Sequence, residues 1–146
     1  RRSSDLAYFF KKQGIKRGDA VALFMENRIE FVSSLLGLSK IGAAAALINT
    51  SLSGKQLTHC IKIVDSKKVI VGVELYQQVK EISSKLELAS RDYLWVQDSG
   101  FNGGDTPAPE GVVNVSPHLS SMPTTNPPEA EFIQAKEIVV RGSPIK

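Results

Sequence analysis

At 146 residues, with 42% apolar, 23% charged and 7% aromatic side chains, the chain has an ordinary globular composition. Its length suffices to bury roughly 70% of the extended-chain surface without metal or disulfide staples. A single cysteine, Cys60, excludes an internal disulfide and the disulfide-framed secreted class, and the 18 basic and 15 acidic side chains are too interspersed to mark a nucleic-acid footprint.

The first residues, Arg1-Arg2-Ser3-Ser4-Asp5, lack the apolar run of a signal peptide. There is no initiator Met, so the chain is expected to be part of a longer gene product. Ser4 or Asp5 is expected to cap a helix running through Gln13, with Leu6 and Phe10 four apart and Gly14 in a left-handed C-terminal conformation. Gly18-Asp19 turns the chain into the buried strand Val21–Met25. Asn27 is expected to cap the next helix, whose Val32, Leu35, Leu36 and Ser39 follow i, i+3, i+4, i+7.

A second buried strand, Ala44–Asn49, lies in the longest charge-free stretch, Ile41–Gly54. That stretch has fourteen residues, short of the ~20 a membrane-spanning helix needs. Ser53 and Gln56 have the spacing of a capping box, opening a helix that buries Leu57, Cys60, Ile61 and Val64. Lys67-Lys68 leads into strand Val69–Val73, followed by a helix with Leu75, Val79, Ile82 and Leu86 on one face and by strand Tyr93–Val96. Helix and strand alternate four times with short connections. The expected fold is α/β: a parallel sheet covered by helices, its strands stacked in chain order and its crossovers right-handed.

The character changes near residue 98. All seven prolines lie beyond it, and the balance shifts from 15 basic against 10 acidic residues in 1–98 to 3 against 5 in 99–146. Residues 1–98 are expected to be the packed domain, and residues 99–146 a Pro/Gly-rich, partly disordered linker.

Little in the chain announces catalysis. Neither GxGxxG nor GxxxxGK[ST] occurs, and Gly100–Gly104 leads into Pro107 rather than a helix that could hold phosphate. His59 and Cys60 are adjacent on a helix and diverge by about 100°, and His118 is the only other histidine, so four zinc ligands cannot be assembled. A Cys–His nucleophile fails on the same geometry, and Cys60 on an apolar stripe is expected to have a raised thiol pKa. Glu26, Glu30, Glu74 and Glu81 read as surface charges, Lys67-Lys68 as a solvated start to a strand, and Tyr93 and Trp95 as core. No catalytic, cofactor-binding or metal-binding residue is named.

Val21–Val32 (VALFMENRIEFV) and Leu36–Thr50 (LGLSKIGAAAALINT), within a block from Gly14 to Ile61, resemble the fatty acid transport protein family. These are very-long-chain acyl-CoA synthetases of the adenylate-forming, AMP-binding superfamily. The resemblance implies part of the N-terminal α/β subdomain of an ATP-dependent ligase that makes an acyl-adenylate from a long-chain fatty acid and then an acyl-CoA, coupled to uptake. It implies ATP, Mg2+ and coenzyme A for the parent enzyme, and membrane association on the cytosolic side of the endoplasmic reticulum or plasma membrane. A homo-oligomer is compatible with the resemblance, and no nucleic-acid partner is expected.

The family's phosphate loop, close to YTSGTTGLPK, is absent from the sequence, as are its ribose-binding acidic motif and mobile C-terminal domain. The expectation is therefore that the chain alone is inactive and binds none of these cofactors tightly. Carry-over is confined to scaffold positions: Gly18-Asp19 before the first strand, Asn27 at the helix start, and Asn49-Thr50 at the end of the second strand. The alternative is a non-catalytic α/β interaction module that binds a full-length synthetase or another protein through an edge strand. A receiver-like domain is disfavoured because the first strand lacks the acidic pair that would hold magnesium.

Overall fold

The computed structural model describes residues 2–97, 107–119, 121–123, 125, 127–128 and 140–142. In chain order the elements are α1 (Arg2–Lys12), β1 (Ala20–Phe24), α2 (Ile29–Lys40), β2 (Ala44–Leu47), α3 (Gly54–Ile63), β3 (Lys68–Gly72), α4 (Tyr76–Ile82), β4 (Tyr93–Val96), β5 (Val113–Asn114), α5 (Ser116–Leu119) and β6 (Val140–Gly142). Single 3-10 turns at Val73–Leu75 and Ser83–Lys85 flank α4, and a third, Ser90–Asp92, precedes β4.

All strand pairs are parallel, in the order β5-β4-β3-β1-β2-β6. The parallel class matches the sequence expectation, but the strands are not stacked in chain order. After β2 the chain recrosses β1 and lays β3 on its other side, with Ala22 facing both Ala46 and Val69. A run of buried residues in β1 is what a strand with a neighbour on each edge and a helix layer on each face requires.

Alternate residues of the strands feed two cores. Val21, Leu23, Ile70 and Leu94 join Leu6, Phe9, Phe10 and Leu38 under α1 and α2. Ala22, Phe24, Val69, Val71 and Trp95 join Leu57, Cys60, Ile61, Val79 and Ile82 under α3 and α4. Reversing the direction of travel across the sheet while keeping right-handed crossovers puts the later helices on the opposite face.

Several local expectations shift. Helix α1 begins at Arg2, so Ser4 and Asp5 lie in its first turn, where Lys40 Nζ donates to the Ser3 and Ser4 hydroxyls at 2.8 and 2.9 Å. Gly14 adopts the left-handed conformation expected, φ 88°. Ser53 precedes α3, but its side chain makes no capping bond; Gly54, at φ 55°, opens the helix from a left-handed residue.

The expected apolar stripe of α2 is rotated. Leu35 packs against the core and Ser39 is buried as expected, but Val32 and Leu36 are 47% and 48% exposed, and the helix also buries Glu30, Ser33, Ser34, Gly37 and Leu38. Glu30, Ser33, Ser34, Gly37 and Leu38 have an i, i+3, i+4, i+7, i+8 period, but apart from Leu38 they are small or polar. A Cβ on Gly37 would stand 3.1 Å from Leu6 Cβ and 3.2 Å from both Phe10 Cε2 and the Ser3 carbonyl oxygen. Close approach to α1 has displaced bulk from this face.

Strands β5 and β6, drawn from the Pro/Gly-rich segment, extend the sheet at its two edges, with Val113 opposite Leu94 and Val140 opposite Ala45. Val113, Val115, Leu119 and Met122 pack into the α1–α2 core. The expected linker at Gly100–Gly104 and the stretch Phe132–Val139 lie outside the described residues.

Candidate functional site

In an open parallel sheet, ligands bind outside the carboxyl ends of the strands where neighbouring strands send their connections in opposite directions. Here that point lies between β1, which leads to β2 on one side, and β3, which leads to β4 on the other. The segments there are Met25–Arg28 after β1, Val73–Leu75 after β3 and Gln97 after β4.

Arg28 stands at the N-cap of α2 in extended conformation (φ −148°, ψ 178°), and its side chain is 13% exposed. Nη1 donates to the Glu30 carboxylate and, at 3.1 Å, to the Gln97 carbonyl. Nη2 donates to Glu74 Oε1 at 3.0 Å and to the Val96 carbonyl at 3.1 Å. The other oxygen of Glu74 accepts the Glu26 backbone N–H at 2.8 Å. One guanidinium fork thus ties together the ends of β1, β3 and β4 and the first turn of α2, a geometry lysine could not reproduce.

This changes the assignment of one carboxylate and the role of another. Glu30, expected at the surface, is buried, its side chain 10% exposed; Glu74 is an exposed residue as expected, but its carboxylate, like that of Glu30, is held by Arg28. Glu26 and Glu81 are exposed as expected. Asn27 is exposed and caps nothing; Arg28 holds the cap position because its side chain is drawn toward β3 and β4. Asn49 Oδ1 accepts the Ser51 backbone N–H at 2.9 Å and its hydroxyl at 2.8 Å, making Asn49 a turn-former after β2. Gly18, at φ 87°, and Asp19 sit at the opposite, amino end, where the Gly18 N–H reaches the Gly42 carbonyl at 2.9 Å.

Arg28 escaped the sequence reading because its partners stand 46, 68 and 69 residues away. Only Glu30, two positions on, lay within a window that spacing rules examine.

The remaining candidates behave as scaffold. Cys60 is buried, which pushes its thiol up. The His118 ring stacks on Phe9 with centroids 5.4 Å apart. Lys68 Nζ donates to Asp92 Oδ1 at 3.0 Å, so of the lysine pair only Lys67 is exposed. No three His, Cys, Asp or Glu side chains among the described residues converge on a metal position. Of the carboxylates at the switch point, Glu30 and Glu74 are bound to Arg28 and Glu26 stands exposed, so the described residues do not fit Mg2+. No described helix is long and apolar enough to cross a membrane.

A doubly wound parallel sheet with a salt-bridged arginine at its switch point places the chain in the α/β class. The chain belongs to the AMP-binding enzyme family, whose model matches residues 1–139. It is 31% identical over 135 residues to human long-chain fatty acid transport protein 6, covering 91% of this chain and 20% of that protein. To mouse long-chain fatty acid transport protein 1 it is 35% identical over 123 residues, covering 84% and 18%. The chain therefore spans about a fifth of the length of these relatives. Among solved structures, an anthranilate CoA ligase in complex with anthranoyl-AMP superposes with TM-score 0.73 at 22% identity, over 85% of this chain and 22% of that one. A Mycobacterium tuberculosis fatty acyl CoA synthetase gives TM-score 0.68 at 23% identity, over 92% and 23%. These structural likenesses show the fold.

Proposed function

We propose that this chain forms part of the N-terminal α/β subdomain of an ATP-dependent long-chain or very-long-chain fatty acid–CoA ligase. Residues 1–98 supply the framework, and residues 99–146 a Pro/Gly-rich connection whose short strands extend the sheet. The whole enzyme joins the fatty acid carboxylate to the α-phosphate of ATP, releasing pyrophosphate. It then transfers the acyl group to the thiol of coenzyme A, releasing AMP. The observation that supports this reading best is the identity with mammalian long-chain fatty acid transport proteins across 84–91% of the chain.

ATP, Mg2+ and coenzyme A are requirements of the whole enzyme. The described residues contribute scaffold, and the chain by itself is inactive. The whole enzyme works on the cytosolic side of the endoplasmic reticulum or plasma membrane, where thioesterification turns a membrane-permeable acid into a charged conjugate and so drives uptake. The test is a thioester assay with ATP, palmitate and coenzyme A on two proteins: the 146-residue chain, and a product carrying its contiguous downstream sequence. Fatty-acid-dependent AMP release is expected from the longer product alone. Turnover by the short chain would overturn its inactivity, and a folded longer product without turnover would overturn the ligase reading.

A further inference from the structure

The network around Arg28 has a feature that charge pairing alone does not require. Gly72 closes β3 in ordinary extended conformation, φ −72° and ψ 146°, so its backbone imposes no need for glycine. The space above it does. A Cβ on Gly72 would lie 2.3 Å from Glu74 Oε2 and 2.7 Å from both Oε1 and Cδ, so the carboxylate occupies the volume that a side chain at 72 would fill. From that position Glu74 uses both oxygens, one for Glu26 N–H and one for Arg28 Nη2. The Val96 and Gln97 carbonyls and Glu30 hold Arg28 from the other side.

We propose that Gly72, Glu74 and Arg28 act as one positioning unit that sets the conformation of Met25–Arg28, the segment that follows β1 at the β1–β3 switch point. Arg28 is thereby a positioning residue for acyl-CoA ligation. This catalytic consequence rests on the proposed function, whereas the coupling of the three residues does not. Gly72 leaves room for the carboxylate, the carboxylate caps the end of β1, and the guanidinium fixes the carboxylate against β4.

The test is amide exchange at Glu26, followed by NMR in the 146-residue chain for G72A, E74A, the double variant G72A/E74A, and R28K. G72A and E74A are each expected to speed Glu26 exchange about tenfold, the loss of one charge-assisted hydrogen bond. The strand amides of β1 and β3 should keep their protection. The double variant is expected to match E74A alone, because the three atoms nearest the new methyl all belong to Glu74. R28K retains the charge but not the fork, and is expected to leave Glu26 exchange fast.

Additive effects of the two single variants, unchanged exchange in G72A, or full rescue by lysine would overturn the proposal. If E74A fails to fold, E74S replaces it in the cycle, because serine also removes the carboxylate that the new methyl would meet. A ligase assay on the longer product forms a separate arm. Wild-type turnover with G72A and R28K kinetics unchanged would remove the catalytic consequence. No wild-type turnover would remove the ligase reading while leaving the exchange result to decide the coupling.

Discussion

Asp92 shows how a single side chain gives the fold a pH dependence. Burial alone would raise its carboxyl, but the hydrogen bond from Lys68, the Ala89 backbone N–H and the charges of Lys68 and Arg91 outweigh this and hold it below the usual carboxylate range. The unfolded carboxyl titrates near ~3.9, so the pair stabilises the fold fully above that value. The contribution is lost as pH falls through the lower, folded-state pKa. D92N is expected to cost about 1 kcal/mol at pH 7 and nothing below both pKa values, measured by urea unfolding followed through Trp95, the sole tryptophan, which is 1% exposed. An equal cost at pH 7 and pH 2 would contradict this. Cys60, 4% exposed with a raised thiol, is expected to react with thiol reagents only as fast as the chain opens. Its position on an apolar stripe made that legible from sequence. The partners that draw Arg28 inward lie 46 to 69 residues away, outside any local pattern, so Glu30 beside it was assigned to the surface and the pairing of Glu74 was not seen.

At the scale of elements, strand positions could be read closely because a buried parallel strand announces itself by an unbroken apolar run, and β1–β4 all have one. Helix faces were less legible. In α3 and α4 the expected stripe faces inward, with Leu57, Cys60, Ile61, Val79 and Ile82 buried, so periodicity found the right face, although Val64 at the end of α3 is only partly buried and Ile63 is exposed. In α2 it selected Val32 and Leu36, because the face that meets α1 is made of Ser33, Ser34 and Gly37 and carries little hydrophobic signal.

Two measurements separate the faces. L38A is expected to cost 2–5 kcal/mol, about the range for emptying a buried leucine site, whereas L36A should stay within about 0.5 kcal/mol. Equal costs would contradict the rotated stripe. G37A improves helix propensity by up to about 1 kcal/mol but forces a methyl against Leu6 Cβ and the Ser3 carbonyl, neither of which can give way cheaply. A net loss of about 1 kcal/mol is expected in the same unfolding experiment.

For the whole molecule, the alternation of helix and strand made the parallel α/β class legible, but not the strand order, since nothing local records that β3 recrosses β1. The two edge strands were missed for a different reason. β5 is two residues long and β6 three, too short for any alternation to register, and both lie where prolines and glycines dominate the signal. The recrossing matters most, because it creates the switch point at which Arg28 and Glu74 meet. The family was legible from the block 14–61, and the identity with fatty acid transport proteins across most of the chain agrees with it.

The most direct measurement of the ligase account is a transplant. The matched 123-residue segment of mouse long-chain fatty acid transport protein 1 is replaced by the aligned part of this chain, and palmitoyl-CoA synthesis is assayed after folding is confirmed by circular dichroism and cooperative unfolding. Synthesis above background is the result the account requires. A cooperatively folded chimera that binds ATP but forms neither acyl-adenylate nor thioester would contradict it.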